Sequence, residues 1–322
     1  MGVGAVDGRS AGGGAGGVSG DLLDVGVLGA AGEALGLRVE VVGETGSTNA
    51  DVAARARVGE AAGLVVAAER QRAGRGRLDR VWESPAGVGL TVSLLARPAG
   101  RGRSPAVLGW VPMVVGTSLV GTLRSRYGVP AWLKWPNDVQ VDGEKLAGIL
   151  VELVPAPPAN PGAVASRPDG ANKGPGLVIG FGLNVHTAAA DLPPGATSLA
   201  VLAGRGAGCL VGTAADQGDG PALAGTGRAA GADGVPSRTE LLAALLTDLA
   251  GALAAFDADP GGARPAYRAV CATLGLDVRV ELPGGESVVG VATDVDESGR
   301  LVVDGRAFSA ADVVHLRPAA NK

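Results

Sequence analysis

The sequence predicts an α+β fold, a mixed β-sheet packed with helices and followed by a small all-β barrel. Three observations predict it. Up to about residue 270, apolar runs of strand length alternate with segments of helical periodicity. From Leu276 onward the texture changes to short β-branched runs separated by turns. Two stretches rich in Gly, Ala and Pro, 155–176 and 204–236, interrupt the pattern without periodicity and are expected to be mobile surface inserts.

In chain order, residues 1–20 are Gly-rich and are expected to be disordered. Arg38 to Val42 predicts a strand, and Ser47 or Thr48 is placed to cap a helix that starts near Asp51. Leu64 to Ala68 predicts a buried strand. A Gly/Arg loop from Gln71 to Trp82 leads to another strand, Gly89 to Leu95. Ser104 to Leu123 carries no charge over nearly the length of a bilayer span. Its two prolines, three glycines and hydroxyl residues fit a helix buried on a sheet better than a membrane span.

Trp132 to Trp135 and Val139 to Val141 predict two short strands. A turn at Asp142-Gly143 and long strands over Leu146 to Val154 and Leu177 to Val185 follow. Ser237 and Glu240 form a capping-box pattern ahead of Leu242, Leu245, Leu246, Leu249, Leu253 and Phe256 at helical spacing. The barrel strands are expected near Val278 to Leu282, Val288 to Thr293, Leu301 to Val303 and Val313 to Leu316. The expected division is a sheet domain over 21–272 and a barrel over 273–322.

Composition narrows the function. Of 322 residues, 46% are apolar but only 3% aromatic, and the net charge is −4. No global nucleic-acid signature is present. Cys209 and Cys271 have no metal-site spacing and read as ordinary small residues. His186 and His315 stand alone, so no metal site is assigned. The N-terminus lacks the charged and apolar regions of a secretory signal, which predicts a cytoplasmic protein.

Three segments carry chemistry. In Gln71-Arg72-Ala73-Gly74-Arg75-Gly76-Arg77, continuing to Arg80 and Trp82, forked guanidinium donors suit phosphate and carboxylate oxygens. Gly74 and Gly76 would let the main chain approach a ligand, and Trp82 would stack on a flat base. An RNA-binding Arg/Gly stretch or a solvated loop fits the same composition, and composition alone leaves both open. In Lys134-Trp135-Pro136-Asn137-Asp138, a lysine sits inside an apolar strand, where it either reaches out to solvent or meets an anion. Lys145-Leu146-Ala147-Gly148-Ile149-Leu150 follows, and Gly180-Phe181-Gly182-Leu183-Asn184 ends a strand on an Asn beside two glycines.

Together with Ser47-Thr48-Asn49, these strings in this order resemble the biotin protein ligase family. The resemblance spans roughly residues 38 to 318. It implies a catalytic sheet domain akin to class II aminoacyl-tRNA synthetases, with a C-terminal SH3-like barrel. It implies that biotin's carboxylate attacks the α-phosphate of ATP to give biotinyl-5′-AMP and pyrophosphate, and that a lysine of a biotin carboxyl carrier domain then takes the biotin. The carrier would belong to an acyl-CoA or pyruvate carboxylase.

By the same resemblance Ser47, Thr48 and Gln71 meet the biotin ureido ring, with Asn49 alongside. Gly74, Arg75, Gly76 and Arg77 line the biotin carboxylate and the adenylate phosphate. Lys134 holds carboxylate and phosphate oxygens and, with Arg77, carries catalysis. Trp82 stacks on adenine, and Arg80, Asn137 and Asn184 lie on the nucleotide side. Mg²⁺ is expected with ATP, oriented by Glu152 or Asp138.

Few residues precede the first strand, so a ligase without direct DNA binding is expected, as a monomer or weak homodimer. Lipoate or octanoate ligases share the fold type, but the Gly-Arg-Gly-Arg and Lys-Trp-Pro-Asn-Asp strings argue against them. Acidity and scarce aromatics argue against RNA binding.

Overall fold

In a computed structural model, the described residues are 21–76, 81–97, 105–157, 174–206, 234–282, 285–309 and 312–316. The expected disorder of 1–20 and most of both inserts lie outside them, as does Cys209.

The larger sheet contains β1 (Arg38–Thr45), β2 (Leu64–Arg75), β3 (Val81–Ser84), β4 (Gly89–Ala96), β5 (Trp132–Lys134), β6 (Asp138–Val141), β7 (Glu144–Val154) and β8 (Gly176–Asn184). Its order is β1-β2-β4-β8-β7-β6-β5, with β3 paired to β2. Only β1 and β2 run parallel; the other pairs are antiparallel, so the sheet is mixed.

Side chains alternate across this sheet. On β8, Ile179, Phe181 and Leu183 join the main core on one face, while Val178 joins a smaller cluster beneath helix α2 (Thr48–Arg57) on the other. Gly180 and Gly182 share the α2 face. Ser47, one of the two cap candidates, caps α2 with its hydroxyl accepting from the Ala50 N–H, and the helix starts at Thr48, earlier than the expected start near Asp51.

The opposite face carries α4 (Val111–Tyr127), stacked on α6 (Arg238–Ala258), and α6 also packs on α1 (Val25–Ala34). The single uncharged helix expected from Ser104 is instead two, α3 (Pro105–Leu108) and α4, interrupted at Gly109-Trp110. Pro112 in the first turn of α4 has no N–H to donate, which suits a helix start there. Val115, Leu119, Val120 and Leu123 of α4 are fully buried. The Ser237 hydroxyl caps α6 through the Glu240 N–H and also donates to the Glu240 carboxylate. By length and composition α6 passes the test for a membrane span, but Leu241, Leu242, Leu245, Leu246 and Leu249 are buried in the core.

The second sheet, β12-β11-β10-β9-β13, forms the small barrel: β9 (Asp277–Glu281), β10 (Ser287–Val295), β11 (Leu301–Val303), β12 (Arg306–Phe308) and β13 (Asp312–His315). Asp304 and Gly305, both at positive φ, close the β11–β12 hairpin, a strand pair that the sequence reading overlooked. Barrel residues Val278, Val280, Ala292 and Val303 belong to the same core cluster as the larger sheet. Helices α1, α5 (Leu199–Gly204) and α7 (Ala263–Val270) were also absent from the sequence expectation.

The largest correction falls on the segment read as a loop from Gln71 to Trp82. Strand β2 continues through Gln71 to Arg75 and pairs antiparallel with β3, so the segment is a hairpin. Its tip, with Arg77 and Arg80, lies outside the described residues.

Candidate active site

One cavity of about 750 Å³ opens on the α2 face of the sheet. It brings together Ser47, Thr48, Asn49, Gln71, Arg75, Gly76, Trp82, Lys134, Asn137 and Asn184, ten of the residues singled out from sequence. Their distance along the chain is bridged by sheet register. Lys134 pairs with Asp138, Asp138 with Gly148, Gly148 with Gly182, and Gly182 with Thr91, a row that crosses five strands.

One part of the wall is a hydrogen-bonded polar cradle. Gln71 Oε1 accepts from the Thr48 N–H at 2.9 Å and lies 3.3 Å from Thr48 Oγ1. Ser93, fully buried, donates to Asn49 Oδ1 at 2.6 Å and sits 2.8 Å from Thr48 Oγ1. Asn49 Nδ2 donates to Glu152 at 2.7 Å. Buried polar groups satisfied by one another hold a fixed geometry. Ser93 and Glu152 were missed as members of this network because each belongs to a strand whose apolar run dominates its pattern.

Three glycines make room for neighbouring protein atoms. A Cβ on Gly180 would lie 1.9 Å from Asn49 Oδ1. One on Gly74 would meet the Gln71 amide at 2.0 Å and the Trp82 carbonyl at 2.3 Å, so the missing Cβ makes room for protein atoms. One on Gly182 would lie 2.3 Å from the Trp82 indole. Trp82 therefore rests on the main chain of Gly182 and its cross-strand neighbour Gly148, with its Nε1 lacking a partner among the described residues.

Lys145 was quoted in a motif but given no role. Its ammonium lines the cavity 2.7 Å from Asp138 Oδ1 and 5.7 Å from the Trp82 ring centroid. Lys134 supplies a second ammonium-bearing side chain on the wall. Arg70 and Arg72 instead face Glu44 of β1, at 3.3 and 3.1 Å, so the arginine cluster divides between a surface pair and the cavity. Asn137 donates to Ile149 O and Asn184 to Thr197 O, which fixes two turns at the cavity rim.

The barrel contributes Glu281, Val313 and Val314 to the wall. His315, half-buried beside them, is pushed down to about 4, first by burial and then by the charge of Lys134. An unfolded chain takes up this proton near pH 6.5, so the stability it contributes is complete above that value and is lost as pH falls toward 4. Urea unfolding should therefore show roughly 2 kcal/mol of extra destabilisation across that window, the full shift being reduced by solvent screening of the half-exposed ring. His315→Gln should flatten that slope; an unchanged slope would remove His315 as its source. Cys271 is buried, which raises its thiol pKa and fits the inert role expected from sequence.

Among the described residues no group of three or more His, Cys, Asp or Glu could hold a metal ion. Asp138 meets Lys145 and Glu152 meets Asn49.

Two family models match the chain: the biotin/lipoate A/B protein ligase family over residues 47–165, and the biotin protein ligase C-terminal domain over 273–316. The biotin–[acetyl-CoA-carboxylase] ligase of Mycobacterium tuberculosis (strain ATCC 25618 / H37Rv) is 37% identical over 289 residues, covering 87% of this chain and 90% of that protein. The ligase of the same name from Paracoccus denitrificans is 35% identical over 161 residues, covering 49% of this chain and 59% of that one. Among solved structures, the biotin protein ligase of Aquifex aeolicus in complex with biotin and ATP superposes with a TM-score of 0.61 at 23% identity. It covers 87% of this chain and 99% of its own, a likeness of fold. With the first of these relatives matched along nearly its whole length, the chain belongs to the biotin protein ligase family.

Proposed function

We propose that the protein activates biotin with ATP to biotinyl-5′-AMP and pyrophosphate, then transfers biotin to a lysine of a biotin carboxyl carrier domain. The observation that carries this reading is the single cavity in which a polar cradle, two lysines and a tryptophan laid on glycines converge. The carrier follows from the carboxylase named for the relatives, an acetyl-CoA carboxylase; a pyruvate carboxylase carrier is a second acceptor to test. We assign 21–272 to the catalytic unit and 273–322 to the barrel, and place the reaction in the cytoplasm.

Neither step needs an enzyme nucleophile. In the first, a carboxylate meets a polyanion, and fixed positive charge with oriented donors lowers the barrier. Ser47, Thr48 and Gln71 are assigned to the ureido ring of biotin, and Asn49 holds that cradle in place. Arg75, Arg77, Lys134 and Lys145 are assigned to the carboxylate and α-phosphate oxygens. Trp82 is assigned to adenine, with Arg80, Asn137 and Asn184 around the nucleotide. Mg²⁺ would come with ATP, held by phosphate oxygens and water.

Purified protein mixed with biotin and ATP should release pyrophosphate and accumulate biotinyl-AMP, identified by its mass, and should then label a carrier domain. Activity with lipoate and none with biotin would overturn the assignment. The stacking role has its own test. Gly182→Ala should displace the Trp82 indole and raise the KM for ATP about tenfold, while biotin affinity stays within about threefold. Equal losses for both substrates would detach Trp82 from the nucleotide.

A further inference from the structure

We propose that Thr273 and His315 are positioning residues for Lys134, fixing through the barrel the peptide plane from which that lysine projects. The inference rests on the reading of Lys134 given above.

Strand β5 is held on one side by β6, where Lys134 pairs with Asp138. Its other side is met by the segment that leads into the barrel. Leu133 forms a parallel bridge with Cys271, and Ala272 N–H donates to Leu133 O at 2.7 Å. Thr273, fully buried, continues this contact: its Oγ1 accepts from the Trp135 N–H at 2.9 Å. That N–H belongs to the peptide bond joining Lys134 to Trp135. Thr273 Oγ1 also lies 3.0 Å from His315 Nε2 on β13.

A threonine hydroxyl has one proton. One of the hydroxyl's two lone pairs accepts from the Trp135 amide, and with the His315 ring protonated at Nδ1 the hydroxyl proton is donated to Nε2, the direction the proposal requires. The imidazole is then neutral and orients the hydroxyl without adding charge beside Lys134. The lowered pKa of His315 agrees with a neutral ring.

Two tryptophans complete the attachment. The Trp135 indole donates to Gly299 O at 3.1 Å, and the Trp110 indole to Glu297 O at 2.7 Å. Both acceptors lie in the β10–β11 turn of the barrel. A small displacement of a reacting group is costly in rate, so loss of the Thr273 bond should register in turnover even in a folded protein.

The test is a double-mutant cycle on biotin-dependent pyrophosphate exchange. Thr273→Val should lower kcat about tenfold or more with KM for biotin changed less than about threefold. Thr273→Ser, which keeps the hydroxyl, should stay near wild type. His315→Leu should behave like Thr273→Val, whereas His315→Gln, whose carbonyl can accept the same proton, should retain activity. In a Lys134→Ala background, Thr273→Val should cause no further loss. An undiminished further loss there, or Thr273→Val and His315→Leu both at wild-type activity, would overturn the proposal. If Lys134→Ala itself retains wild-type exchange, the reading of Lys134 has failed instead. Should Thr273→Val not fold, the two His315 variants decide the matter from the other end of the bond.

Discussion

Lys134→Ala is expected to cut biotin-dependent pyrophosphate exchange by about a hundredfold or more, the usual scale for removing one fixed charge or donor from a developing transition-state anion. Lys134 lies between two buried residues, Leu133 and Trp135, yet reaches the cavity wall. Adenylation brings biotin's carboxylate onto a phosphate that is itself negative, then expels pyrophosphate. A cation fixed by a strand offsets both charges without reorganising. Its side chain is half-buried, so truncation should leave the fold intact, and circular dichroism with thermal melting checks this. Exchange within about threefold of wild type, a change under ~0.7 kcal/mol, would withdraw the role.

The largest expected effect on stability lies elsewhere. Arg238, at the start of α6, is 0% exposed. Its Nε donates to Gly89 O at 2.8 Å, and its Nη1 to Glu69 Oε2 at 2.7 Å and to Asp21 O at 2.5 Å. The other oxygen of Glu69 accepts from the Leu23 N–H at 2.6 Å. One guanidinium thus joins the residues before α1, strand β2 and the start of β4. Removing it leaves a largely buried carboxylate without its counter-charge, which typically costs about 3–5 kcal/mol. Arg238→Ala should lower the urea midpoint accordingly. Arg238→Met combined with Glu69→Leu should recover most of the loss, because an apolar pair restores packing and removes the stranded charge. A cost below about 1 kcal/mol for Arg238→Ala would mean that water reaches Glu69.

Much of this architecture was legible because the sheet announces itself locally. Leu177 to Leu183 is an unbroken apolar run, and Asp-Gly pairs mark the turns at Asp142-Gly143 and Asp304-Gly305. The candidate site was legible through motif strings on neighbouring strands. Helix α1 was not, for a physical reason. Its sequence has glycines at 26, 29 and 32, which disfavour an isolated helix. It forms because Asp24 caps it, Leu28 is buried, and Gly32 lets Val39 come within 2.6 Å of where a Cβ would stand. Tertiary packing overrides propensity there. The same limit hid the β2–β3 hairpin. Gly74 and Arg75 have little strand preference, and only pairing with Trp82 and Val81 extends β2 so far. Arg238 and Glu69 are 169 residues apart, a pairing that no local pattern displays.

The shelf beneath Trp82 has a consequence for anyone wishing to change what this enzyme accepts. Pockets are commonly widened by trimming a side chain until a bulkier analogue fits. Here the shelf is the bare main chain of Gly148 and Gly182, and nothing remains to be trimmed. Every substitution at those two positions can only shrink the space above them. If Trp82 stacks on adenine as proposed, room for an enlarged base analogue has to come from the indole that lies on this shelf, by shortening Trp82, at the expense of its stacking surface. Substrate tailoring on this scaffold is therefore one-directional at the shelf and must be traded against affinity at the indole that rests on it.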